Sequence, residues 1–317
     1  MRILVTGGLG TVGSGLVADL RKRGHHVVSC DLYHQPDEVG FSLRTDVETP
    51  LYARADVGEF RQLERVVERL GPFDYVYHCA AEFGRWNGED FYETLWRTNC
   101  IGTKNVIRLQ ERLGFRLIHF SSSEVYGDWP GLMVETVMDE YEVKQLNDYA
   151  MTKWVNEMQI RNSAVQYGTQ SVVVRLFNTY GPGEYYSPYR SVNVRFLYCA
   201  LMGLPWVVFR GHQRTSTYLA DTVRTLANIT DNFKPGETYN IGGNKMHTIE
   251  ELSEAVLKVT GADPRLVDIR DSEILTTKVK HVDISKSVRD LDHRNTYSLE
   301  KGLDLTARWM RKVYGLS

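Results

Sequence analysis

In the first half of the chain, short apolar runs alternate with amphipathic stretches of helix length. Residues 3–5, 27–31, 52–55, 74–79 and 117–121 read as strands, with 52–55 the weakest of them. Residues 12–23 and 91–112 repeat apolar positions at helical spacing, and 149–167 forms a longer helix ahead of a β-rich run at 171–175. Strands that alternate with helices pair through crossover units, so the pattern predicts an α/β fold with a doubly wound parallel sheet. Past Phe177 the rhythm breaks. A loop dense in glycine, proline and tyrosine runs from Gly181 to Tyr189. Helices follow at about 218–230, 249–259 and 299–313, with a strand at 238–241. These predict a smaller carboxy-terminal lobe folded over the strand ends.

Composition narrows the class without choosing a function. The chain of 317 residues is 42% hydrophobic and 25% charged, with a net charge of -2. Such values describe an ordinary globular protein and make no electrostatic case for nucleic-acid or membrane binding. No apolar run reaches the ~20 residues of a membrane span, and Met1-Arg2 leads too quickly into a strand for a secretory signal. Cys30, Cys79, Cys100 and Cys199 are far apart and form no CxxC pair, so neither a metal site nor a disulfide framework is expected. The expectation is a soluble cytoplasmic protein with reduced thiols.

Thr6-Gly7-Gly8-Leu9-Gly10-Thr11-Val12-Gly13 follows the first strand and opens the first helix. Glycines 7, 10 and 13 permit a tight turn, close approach of a pyrophosphate, and close packing of helix on sheet. The helix amino terminus offers N–H groups to phosphate oxygens. Asp31 closes the next strand, where a carboxylate holds both ribose hydroxyls and repels a 2′-phosphate, so NAD is favoured over NADP. Asp56 follows the third strand, as an adenine contact or a turn residue.

A second cluster starts with Ser121-Ser122-Ser123-Glu124-Val125-Tyr126-Gly127 and ends with Tyr149-Ala150-Met151-Thr152-Lys153. Positions i and i+4 share a helix face, so the phenol and the ammonium converge. A neighbouring ammonium favours the phenolate, which suits removal of a proton from an alcohol. Lowering a phenol from ~10 to ~7 takes roughly 4 kcal/mol, a sum two nearby cations supply.

Together these residues resemble the extended short-chain dehydrogenase/reductase superfamily, in its NAD-dependent nucleotide-sugar epimerase/dehydratase branch. Further matching elements are His78-Cys79-Ala80-Ala81, Thr98-Asn99-Cys100-Ile101-Gly102-Thr103, the runs 175–183 and 214–221, Tyr239-Asn240-Ile241-Gly242-Gly243, and the segment from Asp283 to Leu303. The resemblance implies a Rossmann-like NAD-binding domain over 1–176, joined by about 215–243, and a mainly nucleotide-sugar-binding lobe over 177–317. It implies NAD held by Gly7, Gly10, Thr11, Val12, Gly13, Asp31, Asp56, Val57, Ala80, Ala81, Asn99 and Lys153. Tyr149 is then the base, Lys153 lowers its pKa, and Ser122 hydrogen-bonds the reacting oxygen. Ser123 and Glu124 complete the catalytic candidates. Asn178, Arg190, Arg214 and Lys280 are the implied contacts to a nucleotide-diphosphate sugar. Relatives pair through two helices, here 91–112 and 149–167, so a homodimer is implied.

The implied first step is oxidation of a nucleotide-linked hexose at C4. The fate of the ketone stays open among dehydration, decarboxylation, 4-epimerisation and release by a 4-dehydrogenase. Serine and glutamate before Val-Tyr-Gly are similar to UDP-glucuronate decarboxylases and GDP-mannose dehydratases, so Glu124 tilts the choice toward those two outcomes. The dTDP-glucose-type dehydratases carry an aspartate where this chain has Ser123. A salt bridge or a helix cap is the bland alternative for Glu124. Lys280 stands where relatives often have arginine, and the loop Glu82-Phe83-Gly84-Arg85-Trp86-Asn87 matches no family pattern. An NAD-binding sensor on the same fold is the non-enzymatic alternative, but it has no need of Tyr149, Lys153 and Ser122.

Overall fold

The computed structural model describes residues 1–33, 51–271 and 273–316. The amino-terminal half runs β1 (Arg2–Thr6), α1 (Thr11–Lys22), β2 (His26–Asp31), β3 (Tyr52–Arg54), α2 (Phe60–Leu70), β4 (Tyr75–His78), α3 (Arg85–Asp90), α4 (Tyr92–Trp96), α5 (Gly102–Leu113) and β5 (Arg116–Ser122). It continues through α6 (Val137–Glu140), α7 (Asp148–Tyr167), β6 (Ser171–Leu176), β7 (Thr179–Tyr180), α8 (Val192–Met202), β8 (Trp206–Phe209), β9 (Gln213–Thr215) and β10 (Thr217–Tyr218). The rest is α9 (Leu219–Ala227), β11 (Thr238–Ile241), β12 (Met246–Thr248), α10 (Ile249–Thr260), β13 (Val267–Arg270), α11 (Ser285–Leu291) and α12 (Leu299–Tyr314).

Seven strands form one parallel sheet in the order β11-β6-β5-β4-β1-β2-β3. The chain winds outward from β1 to β3, then returns to β4 on the other side of β1. That reversal is the switch point of a doubly wound sheet, and ligands bind beyond the strand ends there. Both faces of the sheet are covered, which is why its strands are apolar throughout. Ile3 and Val5 pack into one layer with Leu16, Leu20 and Leu226, while Leu4 points into the other with Val66, Ile107 and Ile160. A third core, centred on Phe196, Trp206, Leu252 and Met310, holds α8, α10 and α12 together as the carboxy-terminal lobe. Among the described residues no helix is long and apolar enough to cross a membrane, and no cluster of side chains has the makeup of a metal site.

Five helices were not expected from the sequence: the short α3, α6 and α11, and the longer α2 and α8. In α2, Leu63, Val66, Val67 and Leu70 are buried at helical spacing, but charged neighbours obscure the stripe. In α8 the apolar positions surround the helix and read as an irregular run. The helix expected at 91–112 is broken. A π-helical turn at Arg97–Ile101 separates α4 from α5, and that widened turn carries Asn99.

Candidate active site

A cleft of about 620 Å³ runs along the carboxyl ends of the strands and under the carboxy-terminal lobe. Gly7, Gly10, Thr11, Val12, Gly13, Asp31, Asp56, Val57, Ala80 and Ala81 line one end. Ser122, Ser123, Glu124, Tyr149 and Lys153 line the middle, and Asn178, Arg190 and Arg214 the far end. Asn99 and Lys280 are not on its wall.

The first end fits a dinucleotide. Gly7 has φ +69, and a Cβ there would lie 2.6 Å from the Ala80 nitrogen. A Cβ on Gly13 would overlap the Gly7 carbonyl oxygen, so the loop can close over β1 only with glycine at these positions. Gly10 starts α1 without a side-chain cap, so no side-chain oxygen competes for the first-turn N–H groups that favour phosphate. The Leu9 N–H donates to Asp31 Oδ2 at 2.9 Å, which holds that carboxylate against the glycine loop. Asp56 serves its turn, accepting from the Gly58 N–H at 2.8 Å, and pairs with Arg97 at 2.8 Å.

Asn99 acts from behind the wall. Its Oδ1 accepts the Glu82 N–H at 2.9 Å, and its Nδ2 donates to the Glu82 carbonyl and to Thr152 Oγ1, both at 3.0 Å. One buried amide thus ties the loop after β4 to α7. Helix α7 starts on the Asn147 side chain, which accepts the Ala150 N–H at 2.8 Å, and presents Tyr149 and Lys153 on one face. The Tyr149 phenol is hydrogen-bonded to Ser122. The Lys153 ammonium lies 5.8 Å from the phenol ring centre and donates to the Phe120 carbonyl at 2.8 Å.

One turn beyond Lys153, Glu157 meets Arg175 of β6. Arg175 Nε and Nη2 donate to the two carboxylate oxygens at 3.0 and 2.7 Å. Ser121 donates to Glu157 at 2.5 Å, and Arg175 also donates to Tyr126 at 2.9 Å. Both charges are buried, and a bidentate pair with its remaining groups bonded is the arrangement that tolerates burial. It joins α7 to the serine run. Neither Glu157 nor Arg175 was singled out as a site residue from sequence.

The electrostatics depart from expectation at Tyr149. Burial pushes its phenol up to about 12, the Ser122 hydrogen bond opposes this, and the Glu124 charge adds to it. Burial also draws Lys153 down to about 8, against the pull of Cys79, Cys100 and Glu157.

Between the middle and the far end, Glu124 forms an ion pair with Lys280. Burial raises the Glu124 pKa, but Lys280, Arg85 and Arg214 together outweigh it and hold the carboxyl below its ordinary range. Lys280, expected against a diphosphate, is instead 1% exposed behind Glu124. Arg214 donates to the carbonyls of Gln213 and Lys278 at 2.8 and 2.9 Å, and to Thr276 at 3.1 Å. Arg190 lies 4.0 Å over the Phe83 ring. Asn178, at φ +41, donates to the Thr215 carbonyl at 2.9 Å. The unassigned loop supplies Arg85, which pairs with Glu273 at 2.8 Å across the cleft. Arg195 also lines this end. Its signal in the sequence was a single arginine within the apolar run of α8.

The sequence profile of the NAD dependent epimerase/dehydratase family matches residues 3–242. The chain belongs to this family. As a member it is an NAD-dependent enzyme, and the glycine loop and Asp31 are the features that suit the cofactor. It is similar to a UDP-N-acetyl-alpha-D-glucosaminuronate decarboxylase of Bacillus cytotoxicus, 28% identical over 98% of each chain. It is also similar to a dTDP-glucose 4,6-dehydratase of Salmonella typhimurium, 27% identical over 98% of this chain and 92% of the relative. Among solved structures, a UDP-glucose 4-epimerase of Thermotoga maritima superposes with a TM-score of 0.85 at 26% identity, covering 99% of this chain and all of that one, 100%. The family enzyme therefore has relatives with each of three outcomes.

Proposed function

We propose that this enzyme oxidises C4 of a nucleotide-linked hexose and then removes water from the resulting 4-keto sugar. NAD, which Gly7, Gly10, Gly13 and Asp31 would hold, would supply the hydride acceptor and, when oxidised, positive charge. Tyr149 takes the proton of the sugar hydroxyl, and Ser122, bonded to the same phenol, holds the reacting oxygen. Lys153 keeps its ammonium near the phenol from the cofactor side.

A ketone at C4 acidifies the hydrogen on C5. The observation that carries the second step is Glu124, a carboxylate kept ionised in the same cleft as Tyr149. An ionised carboxylate accepts that proton. Charge matching supports an uncharged hexose. Arg85 is paired with Glu273 and Lys280 with Glu124, and Arg190 faces Glu184. Arg195 and Arg214 form no ion pair among the described residues, and we assign them to the two phosphates.

Decarboxylation is the second reading, favoured by the similarity to a decarboxylase and by the three cations around Glu124. Incubation with NAD and a panel of UDP-, dTDP- and GDP-hexoses and UDP-glucuronate separates the outcomes by product mass. Loss of water is expected. Loss of carbon dioxide establishes the second reading, an isomer of unchanged mass makes the enzyme an epimerase, and loss of two hydrogens makes it a dehydrogenase.

We also propose a homodimer through the outer face of α7 and the adjoining π turn, where Ile101, Met151, Met158 and Val165 are exposed. A single-chain mass in sedimentation rejects it.

A further inference from the structure

The counterion of Glu124 is placed by main-chain ties remote from the catalytic helix. The Gln213 N–H donates to the Lys278 carbonyl at 2.9 Å, and the Lys280 N–H donates to the Gln213 carbonyl at 3.1 Å. These bonds fix the segment on β9 and turn the Lys280 side chain inward. Its ammonium donates to Glu124 Oε1 and, at 3.3 Å, to Ser123 Oγ. Glu124 and Ser123 line the cleft whereas Lys280 stands behind them. Three other charged or titratable groups face Glu124: Arg85 from α3, Arg214 from β9 and Tyr149 from α7. Arg85 donates to Glu273 and the Ile274 carbonyl, and Arg214 to the Gln213 and Lys278 carbonyls and Thr276. The cation bonded directly to Glu124 is Lys280.

We propose that Lys280 is a positioning residue for the elimination, holding Glu124 as the base and resupplying Ser123 with the proton that the leaving oxygen needs. This rests on the reading of Glu124 as the base. Removal of water breaks the C5–H and C6–O bonds and forms a C5–C6 double bond. Glu124 takes the C5 proton, the C–H electron pair becomes the new π bond, and the C6–O pair departs with oxygen. Ser123 passes its hydroxyl proton to that oxygen and takes one from Lys280. Lys280 recovers the C5 proton from Glu124, to which it is already bonded. One water is released and the protein returns to its starting charge; return of the C4 hydride to C6, with the proton taken by Tyr149 going back to the sugar at C5, would restore the oxidised cofactor and leave a net loss of one water. The geometry is matched by the electrostatics. Burial draws Lys280 down to about 8, with Glu124 opposing and Arg214 and Arg85 assisting, so the ammonium can give up a proton near neutrality.

The test uses Lys280→Met, Lys280→Arg and Glu124→Gln with UDP-glucose, dTDP-glucose and GDP-mannose. Absorbance of the reduced cofactor in a single turnover reads C4 oxidation, and product mass reads water loss. The two lysine variants should keep C4 oxidation within about threefold, because Lys280 touches none of Tyr149, Ser122 and Lys153, whereas Glu124→Gln, which removes a charge facing Tyr149, should keep C4 oxidation measurable. Lys280→Met should lose water about 100-fold more slowly. Its acid limb should move to higher pH, since a buried carboxylate without its bonded cation is protonated more readily. Lys280→Arg keeps the charge but cannot release a proton near neutrality. It should leave the acid limb in place and stay at least about tenfold slow. A normal rate in Lys280→Met, or a full recovery in Lys280→Arg, overturns the proposal. Loss of C4 oxidation in both lysine variants also overturns it, assigning Lys280 to the fold of the site. A normal rate in Glu124→Gln overturns the base assignment beneath it. A slow Glu124→Gln beside a normal Lys280→Met removes the lysine role alone. Absence of water loss in the unaltered enzyme removes both.

Discussion

The cofactor end of the cleft is assembled from strand ends that neighbour one another in a single parallel sheet, whereas the sugar end joins segments far apart in the chain. At the cofactor end the work is done by backbone. Glycines 7 and 13 make room, the first turn of α1 offers its N–H groups, and Leu9 holds Asp31 in place. At the sugar end it is done by ionic side chains in pairs. Glu124 meets Lys280 across 156 positions, and Arg85 meets Glu273 across 188. Backbone recognition admits little variation, since a single Cβ overlaps a neighbour. Side-chain pairs can be exchanged one at a time without rebuilding a strand. The relatives, a decarboxylase, a dehydratase and an epimerase, carry different reaction names within one NAD-dependent family.

The largest expected effect lies where the two ends meet. Tyr149 touches neither the glycine loop nor the paired cations, so Tyr149→Phe should leave both binding functions standing. Turnover should fall by about 10²–10⁴-fold on every accepted sugar, the range for loss of a proton-transfer group. NAD affinity, read by fluorescence titration, should stay within about twofold. Burial drives the phenol up to about 12 in the protein alone, so positive charge brought by oxidised NAD would favour its deprotonation. Near-normal turnover of any one sugar by Tyr149→Phe would mean that the two ends do not share a single reaction centre.

The same contrast explains how far the chain could be read in advance. The sheet, its doubly wound order and the glycine loop were legible because strand alternation and local spacing encode them. Tyr149 and Lys153 were legible as a helical pair for the same reason. Residues whose roles depend on meeting across the fold were not. Lys280 was placed near the diphosphate because it stands where relatives often have arginine, yet tertiary ties turn it toward Glu124. Arg85 lay in a loop without a pattern, and its partner Glu273 sits beyond β13, where nothing local marks it. Glu157 looked like an ordinary polar position on a helix, because its partner Arg175 lies on the next strand. The height to which burial raises the phenol was not legible for a related reason: sequence gives the proximity of Lys153, but burial depends on everything packed around the site.

A smaller effect bears on the sugar end alone. Arg85 and Glu273 come from opposite walls of the cleft, and their side chains are 17% and 14% exposed. A pair this shielded is worth more than a surface ion pair, but water still reaches it, so a coupling energy on the order of 1 kcal/mol is expected. Arg85→Ala and Glu273→Ala should each raise KM for the sugar nucleotide about fivefold while KM for NAD stays constant. The double variant should cost little more than either single one, because the second substitution removes a partner already lost. Additive effects would show that the two residues act on the substrate separately, and the sugar end would then be a set of independent contacts. A rise in KM for NAD would instead tie the loop after β4 to cofactor binding, through Asn99 and Glu82, and dissolve the division between the two ends.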